Sequence, residues 1–166
     1  EFNVRTRITD QLLTTINYSY VHGNINYSQS EIDQTHTQGN RVQLFSNGVF
    51  LNKDVEQENL VRRANTANFS LTYIPLESLM IKLNVKYVGR KDDVFYDVTL
   101  GPYGALGTQQ IPDYTLFDIV TKYNILQNLS ASLRIENLLD ITYSEIRGYT
   151  TRGRGAYLNF RYNFHN

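Results

Sequence analysis

Residues 156–164 alternate without interruption between two kinds of side chain. Ala156, Leu158, Phe160, Tyr162 and Phe164 form one series, and Tyr157, Asn159, Arg161 and Asn163 form the other. Successive side chains on an extended strand point to opposite faces, so this segment builds one apolar wall and one polar wall. The pattern recurs upstream. Leu129, Ala131, Leu133 and Ile135 alternate with Ser130, Ser132, Arg134 and Glu136, and Phe117, Ile119, Thr121 and Tyr123 with Asp118, Val120 and Lys122. Further segments of the same kind lie at 79–88, 67–73, 12–20 and 2–8. Seven amphipathic strands are predicted.

Their connections fall into two classes. Short polar or Pro-containing turns lie at 9–11, 75–78 and 126–128. The other three connections, 29–61, 91–112 and 141–154, are long, rich in glycine and without sustained periodicity. Short turns at one end and long loops at the other are the organisation of an outer-membrane barrel. Within the first long loop, residues 42–51 are expected to form a small hairpin around Ser46-Asn47-Gly48.

Composition is consistent with this. The mean hydropathy of -0.40 first reads as that of a water-soluble chain. No apolar run approaches the ~18 residues that a membrane helix requires. A barrel strand needs only alternate residues to be apolar, so its average hydropathy stays low. Aromatics reach 13%, with 13 tyrosines. Tyr18, Tyr20, Tyr73, Tyr87, Tyr123 and Tyr162 fall on apolar faces near strand ends, where a bilayer barrel carries its aromatic girdles. A soluble β-sandwich, the competing fold, would instead have to find partners for those phenols in its core. The formal net charge of +0 removes the electrostatic case for nucleic acid. Zero cysteines exclude disulfide scaffolds, thiolate metal sites and cysteine nucleophiles.

An odd number of antiparallel strands leaves its first and last strands running the same way, so seven cannot close into a fully antiparallel barrel. An open edge in lipid strands N–H and C=O groups at several kcal/mol each. The chain is therefore expected to be part of a larger barrel.

Four stretches carry a family resemblance: 62–73 (RRANTANFSLTY), 84–93 (NVKYVGRKDD), 114–123 (YTLFDIVTKY) and 135–164. The last contains IENLLD, a loop bearing Tyr143, then GYTTRGR and the closing AYLNFRYNF. Together they resemble the C-terminal part of a TonB-dependent outer-membrane receptor of the siderophore or cobalamin type. The resemblance implies an all-β transmembrane antiparallel barrel of 22 strands around a plug, with residues 1–166 as its last seven strands and the plug and upstream strands elsewhere. It implies periplasmic short turns, extracellular long loops, and Tyr162 and Phe164 as the terminal signal read by the barrel assembly machinery. His165 and Asn166 depart from the family, which usually stops at that phenylalanine. It further implies TonB-driven uptake of a nutrient complex such as a ferric siderophore, with TonB meeting a region outside this chain, in the outer membrane of a Gram-negative bacterium. Neither an enzyme nor a resident cofactor is implied.

The chemistry of individual residues is read beside that resemblance. Asn137 and Asp140 are placed to end a strand through side-chain hydrogen bonds to backbone, and Gly148, Gly153 and Gly155 to permit unusual backbone angles. His22, His36 and His165 match no metal-ligand spacing, and no nucleophile motif occurs. The polar faces carry Lys82, Lys86, Asp118, Lys122, Arg134, Glu136 and Arg161, read either as a cross-strand ion network lining a wet lumen or as a path for a charged ligand. Arg147, Tyr149, Arg152 and Arg154 in the last long loop, with Arg62, Arg63, Arg90 and Lys91 at loop ends, form a candidate surface for an anionic ligand. The competing reading pairs these arginines with anionic lipid or with acids such as Asp92 and Asp93. A passive porin, a barrel enzyme and a soluble binding module are the alternative functions.

Overall fold

The computed structural model describes residues 1–22, 64–100 and 103–164, together with short backbone pairings at 25–26, 45–46, 49–50 and 56–57. The strands in chain order are β1 (Phe2–Thr9), β2 (Leu12–Ser19), β3 (Ile25–Asn26), β4 (Phe45–Ser46), β5 (Val49–Phe50), β6 (Glu56–Gln57) and β7 (Thr66–Leu76). They continue as β8 (Leu79–Val88), β9 (Lys91–Asp97), β10 (Ala105–Ile111), β11 (Tyr114–Asn124), β12 (Leu129–Glu136) and β13 (Gly155–Tyr162). Among the described residues none is helical.

The seven alternating segments form one sheet in the order β1-β2-β7-β8-β11-β12-β13, with every neighbour antiparallel. The registers show why the alternation matters. Thr14 stands opposite Leu71, Leu71 opposite Leu83, Leu83 opposite Ile119, and Ile119 opposite Ile135. Each strand thus adds its apolar series to the same face. A slip of one residue anywhere would turn a whole strand inside out.

That face is covered by nothing else among the described residues. The buried apolar residues are Val88, Ile111 and Tyr114, all gathered where the sheet meets the β9–β10 hairpin. Leu158 and Phe160, by contrast, are 65% and 63% exposed. A sandwich would have laid a second sheet over these side chains. Burying each in hydrocarbon is worth about 1.5–3 kcal/mol, which a bilayer supplies. The six tyrosines expected on this face are all exposed. Tyr73, Tyr123 and Tyr162 lie towards the short turns, and Tyr18, Tyr20 and Tyr87 towards the long connections, so two girdles bound the apolar band.

The short-turn end is tied together sideways. The Ile74 N–H donates to the Gln11 carbonyl, Asn124 to Ser78, and Asn163 to Asn128, each at 2.8 Å. Pro75 sits at the register shift between Tyr73 and Leu76, where its missing N–H breaks no ladder bond.

At the other end, the connection 91–112 is not the aperiodic loop expected. Strands β9 and β10 pair antiparallel over seven residues, from Ala105 opposite Asp97 to Ile111 opposite Lys91. They follow β8 and precede β11 in the chain and form a hairpin in a separate sheet. The hairpin expected around Ser46-Asn47-Gly48 appears as β4 paired with β5, Phe45 opposite Phe50 and Ser46 opposite Val49. Strand β4 also joins β10 in parallel at Ser46 and Leu106. The remainder of 42–51 lies outside the described residues.

The two faces make opposite demands on a substitution. Leu83→Arg, mid-strand on the apolar face, should destabilise the folded protein in bilayers by about 2–4 kcal/mol. Asn84→Arg on the polar face should change it by less than about 1 kcal/mol. Urea titration of the protein in lipid vesicles, read by its change of gel mobility on boiling, measures both.

Candidate functional site

The loop end of the sheet is where side chains begin to pack against one another. Asn137 and Asp140 lie at its centre, both with left-handed backbone, φ 48° and 55°. Asn and Asp tolerate that region better than other non-glycine residues because their short side chains bond locally. The Asn137 amide donates to the Ile141 carbonyl at 2.9 Å, and its oxygen accepts the Ile141 N–H at 3.0 Å. Asp140 Oδ1 accepts the Arg154 N–H at 2.7 Å, and the Arg154 guanidinium stands 3.5 Å from Oδ2. These two residues turn the chain out of β12 and tie the loop's departure to its return.

Asp118 belongs to the same arrangement. It was expected among lumen ion pairs, but its Oδ1 accepts the Asn137 N–H at 2.9 Å, while Leu138 donates to the Phe117 carbonyl at 2.7 Å. A carboxylate here extends the β11–β12 ladder past its last backbone pair. The expected cross-strand network is correspondingly sparse. Arg134 pairs with Glu136 on its own strand, and Lys86 reaches Glu145 of the last loop at 3.7 Å. Lys82, Lys122 and Arg161 form no ion pair among the described residues. Lys82, Lys86 and Asp118 do share a groove of about 420 Å³ on the polar face, with Asn17, Asn68 and Asn84. Lys122 and Arg161 line a smaller recess at the short-turn end, and Arg134 and Glu136 lie in neither.

The loop 137–154 folds back over the polar side of the wall. Tyr114 donates to Glu145 Oε1 at 3.2 Å, and its ring lies 4.6 Å from that of Tyr143. The Thr151 hydroxyl donates to the Tyr143 carbonyl at 2.6 Å. Burial, then the nearby Glu145 charge, pushes the Tyr143 phenol above its usual range. The four loop residues singled out from sequence separate into two pairs. Arg147 and Arg154 are engaged: the Arg147 guanidinium lies 3.6 Å from the centre of the Phe95 ring, the Arg147 backbone N–H donates to Asp93 Oδ2 at 2.8 Å, and Arg154 is held by Asp140. Tyr149 and Arg152 project into solvent with no side-chain hydrogen bond among the described residues. Arg62 and Arg63 lie outside the described residues.

The glycines serve two purposes. Gly148 has φ 81° and supplies the backbone freedom expected of it. Gly153 and Gly155 do not; there the constraint is space. A Cβ on Gly153 would come 2.9 Å from Asp140 Oδ1, and one on Gly155 2.9 Å from the Tyr157 hydroxyl oxygen. Sequence reasoning missed Tyr114 and Glu145, whose contact spans 31 positions and leaves no local signal. No cluster of three or more potential metal ligands exists among the described residues. His22 stacks on Tyr20, and His36 and His165 lie outside the described set. At the end of the closing strand, Tyr162 and Phe164 make an edge-on ring pair at 4.7 Å.

Residues 1–138 match the family model described as TonB dependent receptor-like, beta-barrel. The chain belongs to the TonB-dependent receptor family. This receptor segment is 28% identical over 159 residues to the vitamin B12 transporter BtuB of Vibrio cholerae serotype O1, covering 95% of the chain and 25% of the transporter. BtuB of Photobacterium profundum is 27% identical over 112 residues, 68% of the chain and 17% of that protein. Among solved structures, the siderophore receptor PiuA from Acinetobacter baumannii superimposes with a TM-score of 0.66 at 20% identity, over 96% of the chain and 20% of PiuA. The ferripyoverdine receptor of the outer membrane of Pseudomonas aeruginosa gives 0.61 at 17%, over 98% and 19%. The segment thus spans about a quarter of the length of the curated relatives it matches, and the structural likenesses establish its fold. Its sheet is part of an integral β-barrel in the outer membrane of a Gram-negative bacterium.

Two tests follow from the loop anchors. Asn137→Ala removes both side-chain bonds and leaves an alanine at φ 48°, so it should cost about 2–4 kcal/mol of loop stability. Asn137→Gly relieves the backbone and should cost less; hydrogen exchange across 137–154 ranks the two. The Arg154 N–H, followed by the Arg154 side chain, holds the Asp140 carboxyl below its ordinary value of 3.8. A carboxyl with a depressed folded value contributes stability above its unfolded value and loses it as pH falls through the folded one. Protection of the Arg154 amide should therefore be full above pH 3.8 and decline below it. Asp140→Asn should flatten that decline, measured by amide exchange corrected for intrinsic rates.

Proposed function

We propose that this chain supplies the C-terminal wall, extracellular loops and closing strand of an outer-membrane receptor that imports a scarce nutrient complex by TonB-driven active transport. One observation carries the reading: the family match extends over residues 1–138, on a sheet whose apolar face runs unbroken through all seven strands. The named relatives include a vitamin B12 transporter and siderophore receptors, so a transported complex is the common theme. A ferric siderophore or a comparable anionic complex is the ligand we favour.

In this reading the polar face, with Lys82, Lys86, Asp118, Lys122, Arg134, Glu136 and Arg161, lines the lumen and meets a plug carried elsewhere in the receptor. TonB meets the N-terminal region of the receptor, outside this chain. Tyr162 and Phe164 serve as the signal for the barrel assembly machinery. Arg147, Tyr149, Arg152 and Arg154 make the ligand-facing surface of the last loop, led by the unengaged Arg152 and Tyr149. A guanidinium without an internal partner among the described residues offers charge-assisted hydrogen bonds to an anionic ligand.

The full-length receptor carrying this chain should be expressed in cells with and without TonB. Radiolabelled cyanocobalamin, and radiolabelled iron on catecholate and hydroxamate chelators, are then supplied separately. Accumulation of one of them should require TonB, and Arg152→Ala should weaken its binding about tenfold. Equal accumulation in both strains would instead point to a passive pore.

A further inference from the structure

The β9–β10 hairpin and the last loop meet at an enclosed carboxylate. Asp93 of β9 is 0% exposed, the largest fully buried side chain among the described residues. An ionised carboxylate persists in such a place only when donors surround it. Its Oδ1 accepts the Val94 N–H at 3.0 Å, and its Oδ2 accepts the N–H of Arg147, 54 positions along the chain, at 2.8 Å. Two residues beyond Asp93, on the same side of β9, the Phe95 ring lies under the Arg147 guanidinium at 3.6 Å. Phe95 is itself seated on the partner strand, opposite Gly107, where a Cβ would stand 3.2 Å from its ring. One loop residue is therefore gripped twice, its backbone by Asp93 and its side chain by Phe95. Gly148 follows at φ 81° with open space around it, and turns the chain outward toward Tyr149 and Arg152.

We propose that Asp93 is a positioning residue that docks the last extracellular loop onto the β9–β10 hairpin, so that the two elements present one rigid surface. Arg147 is the strut of that joint, and Tyr149 and Arg152 are the side chains the joint holds out. This goes beyond the uptake reading and stands independently of it, because the joint exists without ligand.

The test is hydrogen exchange on the full-length receptor in detergent micelles, with no ligand added. Asp93→Ala should speed exchange of the Arg147 amide and its neighbours in 144–152 about 10- to 100-fold, the range for a lost hydrogen bond to a charged group. Amides of the central strands, 80–86 and 117–122, should stay at wild-type rates and report that the wall is intact. Asp93→Asn keeps an acceptor oxygen and should restore part of the protection. Wild-type exchange of 144–152 in Asp93→Ala, with the wall intact, overturns the proposal. Should Asp93→Ala fail to fold, Asp93→Asn, which has one acceptor oxygen fewer, is read in its place. It should still speed exchange of 144–152, and wild-type exchange there overturns the proposal. A cycle of Phe95→Leu and Arg147→Ala tests the side-chain half of the joint. Both remove the same contact, so the double variant should exchange no faster than either single one. Full additivity overturns the joint. Uptake of radiolabelled probes by the same variants separates this outcome from the transport reading. Loss of the joint with TonB-dependent uptake retained leaves that reading standing, and an intact joint without uptake removes only that reading.

Discussion

In hydrocarbon, a peptide N–H or C=O without a partner costs several kcal/mol, and no water is at hand to relieve it. This requirement governs the seven-stranded sheet. Within it β2, β7, β8, β11 and β12 are each paired on both sides, register by register, and the bulges are displaced to the ends, near Arg7–Thr9 and Tyr73–Leu76. Once the ladder is continuous, the side chains have only two places to go. The alternation of Leu79, Ile81, Leu83 and Val85 with Met80, Lys82 and Asn84 is the sequence's answer to that geometry.

The molecule consequently obeys two different packing regimes. Through the wall there is almost no protein interior, and lipid on one side and a polar face on the other take its place. At the loop end ordinary globular packing resumes. Val88, Ile111 and Tyr114 are buried there, as are the polar groups of Asp93 and Asn137, each satisfied by backbone partners. The loop that leaves β12 is shaped by this small interior rather than by the membrane. Two of its four conspicuous side chains, Arg147 and Arg154, are consumed in building it.

These regimes explain what was legible beforehand. The strands of the wall could be read one by one because lipid enforces a strict period of two, and a single charged residue out of phase would be costly. Hairpin β9–β10 escaped for the converse reason. Lys91, Asp93, Phe95 and Asp97 share one side, and Asp92, Val94 and Tyr96 the other, so neither side is uniformly apolar. Above the bilayer nothing demands that it be. The role of Asn137 and Asp140 was legible from their chemistry and position alone. That of Asp118 was not, because a carboxylate among lysines on the polar face looks like half of an ion pair until the neighbouring strand's end is seen. Asp93 was legible as a partner for the loop arginines, but it meets the Arg147 backbone N–H rather than a guanidinium, and the contact from Tyr114 to Glu145 joins distant segments that no periodicity records.

The three lateral hydrogen bonds at the short-turn end, Ile74 to Gln11, Asn124 to Ser78 and Asn163 to Asn128, act as a hem. They stitch each hairpin to the next below the apolar band, fixing strand stagger independently of whatever crosses the opposite rim. A wall hemmed on one edge can accept insertions, deletions or wholesale exchange of the chain at its other edge without altering its shear. Diversification of what such a protein recognises is thereby uncoupled from the geometry that keeps it in the membrane. Grafting of foreign loops should be tolerated on the long-connection side and resisted on the other.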